Sequence, residues 1–229
     1  MHIEPGLVGG TKIILSYATG AAALLYTAKL CLEAARTREP LSLLVRSLAT
    51  TALVFSFFEI LPHYPVGVSE VHLILGSALF LVFGAASAAV GLALGLLVQG
   101  LFFAPFDLPQ YGMNVTTLLV PLFALSGLAR RIIAPGTPYV DLSYRQGFAL
   151  SAAYQGGIVA WVAFWAVYGQ GITMSNVAAI ASFGGAYLLV ITVEPLLDLA
   201  VLAGAKALSG SHEGLGWRAA VARRLFQPG

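Results

Sequence analysis

Three of the four histidines in this 229-residue chain, His2, His63 and His72, lie at or beyond the ends of long apolar runs. Imidazole is the commonest protein ligand for borderline transition metals. The most informative of the three is His2, directly after Met1. A free amino terminus followed by His offers three nitrogens in sequence: the Met1 amine, the His2 backbone amide when a metal displaces its proton, and His2 Nδ1. Amine and amide close a five-membered chelate ring; amide and Nδ1 close a six-membered one. Three donors in a plane suit tetragonal Ni(II), Cu(II) or Co(II) and leave one in-plane position open. A second imidazole would fill it. His72 is the first candidate because it heads an apolar segment, where packing points the ring. His63, between Pro62 and Tyr64, is the alternative ligand.

Other ionisable groups need a place. Glu59, Glu70, Glu194 and Asp198 sit near or within apolar runs, where such residues are functional candidates by default. Glu194 and Asp198 are one helical turn apart and read as a helix-packing or partner contact, not as catalytic acids. Cys31 is the only cysteine, so an internal disulfide and a thiolate cluster are excluded. The start M-H-I-E-P-G lacks the basic region of a secretory signal and carries Glu4 instead. His is too bulky a second residue for methionine trimming, so Met1 is expected to stay, with a free amine.

The elements that must position these groups are membrane segments. The chain is 59% hydrophobic and 10% charged, with a mean hydropathy of +0.87. A soluble domain carries about 25% charged residues, so lipid must be part of this chain's solvent. Charge-free runs place spans at residues 11–33 and 41–61. Residues 71–106 contain no Asp, Glu, Lys or Arg, which is too long for one crossing of about 20 residues. Gly84-Ala85-Ala86 is the expected break. It divides the run into a short segment at 71–84, re-entrant or tilted, and a full one at 86–104. Further spans are expected at 110–128 and, divided by Gly169-Gln170-Gly171, within 146–193. The last helix runs over 175–208, with Pro195 as a kink. Residues 209–229 form a polar tail. Gly91 and Gly95 stand at the spacing of close helix packing.

This gives an all-α integral membrane protein of about seven segments, read as one membrane domain over 1–229. Of the 12 Lys and Arg, 11 fall on one side: Lys29, Arg36, Arg38 and Arg46; Arg130, Arg131 and Arg145; Lys206, Arg218, Arg223 and Arg224. Only Lys12 lies opposite. The positive-inside rule then puts the C-terminus in the cytoplasm and the N-terminus outside. The outer loops cover 1–11, 62–70, 107–111 and 169–174. His2, His63 and His72 share that face, and His212 is cytoplasmic. The cell's inner (plasma) membrane is the expected location.

The same residues resemble a known family. The chain looks like the CbiM/NikM substrate-binding membrane subunits of energy-coupling-factor transporters for cobalt and nickel. That family begins M-H-I-x-E-G, against Met1-His2-Ile3-Glu4-Pro5-Gly6 here. It carries G-T-S-G-H at the start of a span, where this chain has Gly67-Val68-Ser69-Glu70-Val71-His72. A Gln with a Phe-rich turn follows, matched by Gln99-Gly100-Leu101-Phe102-Phe103, then Asp107, then Gly112-Met113-Asn114. The blocks hold over about the first 135 residues; the later helices match as a hydropathy pattern. The departures are the Glu4-Pro5 order, Glu70-Val71 in place of a single Gly, and Leu108-Pro109 in place of Gly-Gly.

The resemblance implies a square-planar site from the Met1 amine, the His2 amide, the His2 ring and His72, lined or braced by Ser69 and Asn114. It implies uptake of Co(II) or Ni(II), with Co(II) for cobalamin synthesis the favoured cargo. The partners it implies are energy-coupling-factor ATP-binding subunits, a coupling transmembrane subunit and a small accessory membrane protein. No G-x-x-x-x-G-K-[ST] loop occurs, so the chain is expected to be a transporter subunit without its own ATPase motif, not an enzyme. Lipid surrounds it, and no nucleic-acid partner is expected. Two readings compete: a structural or assembly factor of the membrane, and a redox membrane protein. A haem would need axial histidines inside spans, and only His72 is near one.

Overall fold

The computed structural model describes residues 2–37, 40–209 and 220–227. Met1, Arg38, His212 and Arg218 fall outside the described residues. Seven α-helices and one small hairpin make up the order: α1 (Ile13–Thr37), α2 (Pro40–Glu59), β1 (Tyr64–Val66), β2 (Ser69–Val71), α3 (Gly76–Phe83), α4 (Ala85–Phe102), α5 (Tyr111–Ile132), α6 (Tyr144–Gln170) and α7 (Met174–Ser209). All but α3 are long and apolar enough to cross a bilayer. The protein is an α-helical, multi-pass membrane protein.

Helices α4 and α5 are the most enclosed of the six. Helix α2 packs chiefly on α4, α1 on α5, and α6 on both α5 and α7. Gly91 and Gly95 explain the first contact. A Cβ at Gly91 would lie 2.4 Å from Thr50, and one at Gly95 2.6 Å from Val54, so the two backbones approach because α4 carries no side chain there. The outward faces are apolar: Leu25 and Leu32 on α1, Leu44 and Leu48 on α2, and Leu188, Leu189 and Leu196 on α7 are all exposed. These faces are suited to acyl chains.

Two expectations need correction. The outer stretch at 62–70 is not simply a loop: Tyr64–Val66 pairs antiparallel with Ser69–Val71, turning at Gly67. Gly67 has φ 63°, and a Cβ there would fall 2.1 Å from Ala179 O on α7. Both the turn and the close approach demand glycine. The stretch at 107–111 is likewise wound, into a 3₁₀ turn over Pro105–Gln110. Pro195 lies inside α7, which runs on to Ser209.

The third segment is short because only eight of its residues are helical. They span about 12 Å at 1.5 Å per residue. Residues 72–75 before them have no regular secondary structure, and Leu75 has the left-handed φ of 54°. Amides exposed at this depth must be satisfied internally. Glu194 on α7 does so: its Oε1 accepts from Ile74 N and, at 2.9 Å, from Leu75 N, while Gln155 donates to Oε2. Asp198, one turn on, accepts from Ser77 Oγ. The sequence reading of this acidic pair as a packing contact agrees with these bonds. At the other end of α3, Arg46 Nη1 donates to Phe83 O at 2.8 Å, and Ala222 N to Val82 O at 2.6 Å. Acids at the N-terminus and a base at the C-terminus both match the helix dipole. The chain then reverses at Gly84, with φ 85° and ψ 161°, as the expected break required.

Candidate metal centre

The N-terminal residues enter the bundle as an added strand. Ile3 forms an antiparallel bridge with Ser69. Glu70 N donates to His2 O at 3.0 Å, and Glu4 N to Val68 O at 3.2 Å. Side chains complete the anchorage. Ser69 Oγ donates to His2 O at 2.9 Å, and Ile3 N donates to Asn114 Oδ1 at 2.9 Å. With its amide turned to donate, Gln110 reaches Ile3 O at 2.8 Å. Ile3 is fully buried with Val8, Met113 and Trp165. The hydrophobic side chain of residue 3 therefore drives residue 2 inward.

His2 is 4% exposed and His72 is 1% exposed. Their ring centroids are 5.8 Å apart. Gln99 Oε1 accepts from His2 Nε2 at 2.8 Å. His2 Nδ1 lies 2.6 Å from Asp107 Oδ2, an ion-pair contact, but makes no hydrogen bond. His72 Nε2 is 2.9 Å from Glu70 Oε2, and its Nδ1 also lacks a partner. Buried polar atoms are rarely left unpaired. A buried His2 Nδ1 without a hydrogen bond, beside a second buried imidazole, fits a dication that supplies the missing bond. One ligand atom each from His2, Glu70 and His72 lie within 4.8 Å of one another, close to the spread of about 4 Å around a first-row ion with bonds of 2.0–2.2 Å.

Burial lowers the His72 imidazole to about 3, against the opposing pull of Glu70. It is therefore neutral at physiological pH, as a ligand must be. Burial alone would raise the Glu70 carboxyl; the hydrogen bond with His72 and the proximity of His2 outweigh it and hold it at about 2. Glu70 is ionised and His72 neutral, so a charge-assisted hydrogen bond joins them.

His63 is placed differently. Its ring stacks on His72 with centroids 4.9 Å apart and planes 13° from parallel. Ring lone pairs lie in the ring plane, so two stacked imidazoles do not converge on one ion. His63 roofs His72 instead. Met1, the remaining expected donor, lies outside the described residues. The structure brings to the histidines three groups that the sequence marked without a ligand role: Gln99 and Asp107 against His2, and Glu70 against His72. Their signal was position, as isolated polar residues at the ends of apolar runs.

The comparisons bear on this arrangement. The family described as "cobalt uptake substrate-specific transmembrane region", CbiM, matches residues 2–209. The chain belongs to the CbiM family. CbiM proteins are membrane transport components, which accounts for a multi-pass bundle. Two solved structures are similar. One, described as a transition metal transporter, is 18% identical over 93% of this chain and 95% of that one, with a TM-score of 0.69. The other, a truncated transition metal transporter, is 20% identical over 93% and 100%, with a TM-score of 0.66. At these identities the likeness is one of fold. No curated protein sequence matches.

Proposed function

We propose that this chain captures Co(II), in preference to Ni(II), as the substrate-binding membrane subunit of an energy-coupling-factor uptake system serving cobalamin synthesis. The ligands are the Met1 amine, the His2 amide and Nδ1, and His72. Ser69 and Asn114 brace the N-terminal strand. ATP-binding subunits, a coupling membrane subunit and a small accessory membrane protein supply the energy. The N-terminus faces outward and the C-terminus inward.

The observation that supports this most is the burial of His2 beside His72, with His2 Nδ1 left without a hydrogen bond. A histidine in an exposed tail would make neither contact. Isothermal titration of the untagged protein with Co(II), Ni(II) and Zn(II) tests the reading. His2→Ala is expected to abolish high-affinity Co(II) binding, and His212→Ala to retain it. Equal affinities in the two variants would refute the site.

A further inference from the structure

We infer that Glu70 is a further metal ligand, and that its carboxylate biases the centre toward Co(II) over Ni(II). This rests on the capture site proposed above. The motif that resembles the family has a glycine between Ser and His; here Glu70-Val71 stands in its place, so the carboxylate is peculiar to this chain's pattern.

The extra residue matters because of strand geometry. Side chains two apart on an extended strand point the same way. Glu70, in Ser69–Val71, and His72, directly after it, therefore share a face. The register cannot slip. Pro65 pairs with Glu70 on one side, and Glu70 N donates to His2 O on the other. The carboxylate is a quarter exposed while the His72 ring is fully enclosed. Glu70 thus reaches both outer water and the centre.

The separation fits coordination. Cis ligands on an ion with bonds of 2.0–2.1 Å stand about 2.9 Å apart. Glu70 Oε2 and His72 Nε2 are 2.9 Å apart. Binding an ion through Nε2 requires the other neutral tautomer of His72, with its proton moved from Nε2 to Nδ1, and both Nε2 and the carboxylate turn from each other to the ion. A carboxylate also brings negative charge to a dication entering a buried site, where an uncompensated charge is costly.

The preference follows from ligand chemistry. Four planar nitrogens suit Ni(II) and Cu(II). Low-spin Ni(II) in such a plane gains little from an axial oxygen. Co(II) accepts a fifth ligand readily, so a carboxylate above the plane favours it.

The test is titration of untagged wild type, Glu70→Gln, Glu70→Gly and His2→Ala with Co(II) and Ni(II), alongside the visible absorption of the Co(II) forms. Gln can still accept the His72 hydrogen bond, which preserves the hairpin. Both Glu70 variants are expected to weaken Co(II) by roughly tenfold or more, to leave Ni(II) nearly unchanged or tighter, and to alter the Co(II) spectrum. Equal weakening of both metals, or no change in either, overturns the inference while the capture site stands. Undiminished binding by His2→Ala overturns the capture site itself.

Discussion

His72 is neutral in the folded protein down to about pH 3, whereas an exposed imidazole takes its proton near 6.5. Between those values the unfolded chain binds more protons than the folded one, so stability falls as pH falls. Above 6.5 both states hold the ring neutral and the effect vanishes. Glu70, at about 2 against an ordinary 4.5, adds a loss of the same sign only below 4.5. From pH 6.5 to 4.5 the slope therefore reports His72 rather than Glu70. The melting temperature of chelator-treated protein in detergent is expected to drop across that window, and His72→Asn to flatten the drop. Identical profiles would mean that solvent protons reach the ring in the folded state. The identities of His2 and His72 were legible from residue type and place in the chain. The orientation of their rings was not, because Gln99 and Asp107 meet His2 only through long-range packing.

At the scale of elements, the long helices were legible from charge-free runs, and the break at Gly84 from its small-residue cluster. The hairpin was not. Its strands are three residues each, one contains Pro65, and both are specified by Ile3 and by α7 rather than by alternation of their own. The short α3 was foreseen as a short segment, but the irregular backbone before it depends on a carboxylate more than a hundred residues away. Glu194→Leu strands the Ile74 and Leu75 amides in the interior. It is expected to cost about 2–6 kcal/mol, at 1–3 kcal/mol for each unsatisfied group, seen as a lowered melting temperature in detergent. Gly84→Ala forces an L-residue into φ 85°, ψ 161°, and is expected to cost about 1–3 kcal/mol. If Glu194→Leu melts like wild type, α3 does not depend on that cap.

Across the whole molecule, charge placement was the main guide to orientation. It is checked with Cys31→Ser as background. A Tyr64→Cys side chain on the hairpin is expected to react with an impermeant maleimide on intact cells. An Arg131→Cys side chain after α5 is expected to react only after permeabilisation. The reverse pattern would invert the bundle and put the histidine cluster at the cytoplasmic face. Both test positions are exposed, so failure to react reports sidedness rather than burial.

The strand that carries His2 also sets an order of events during synthesis. It leaves the ribosome before any of its neighbours. Its berth is made by Ser69, then Gln99, Asp107 and Asn114, and last by the carboxyl end of α6. There Lys12 Nζ donates to Tyr168 O and Gly169 O, and a Cβ on Gly169 would collide with Leu7 O at 2.0 Å. Translation must pass residue 170 before the leading end can dock. A nascent chain halted earlier would carry His2 with its berth incomplete.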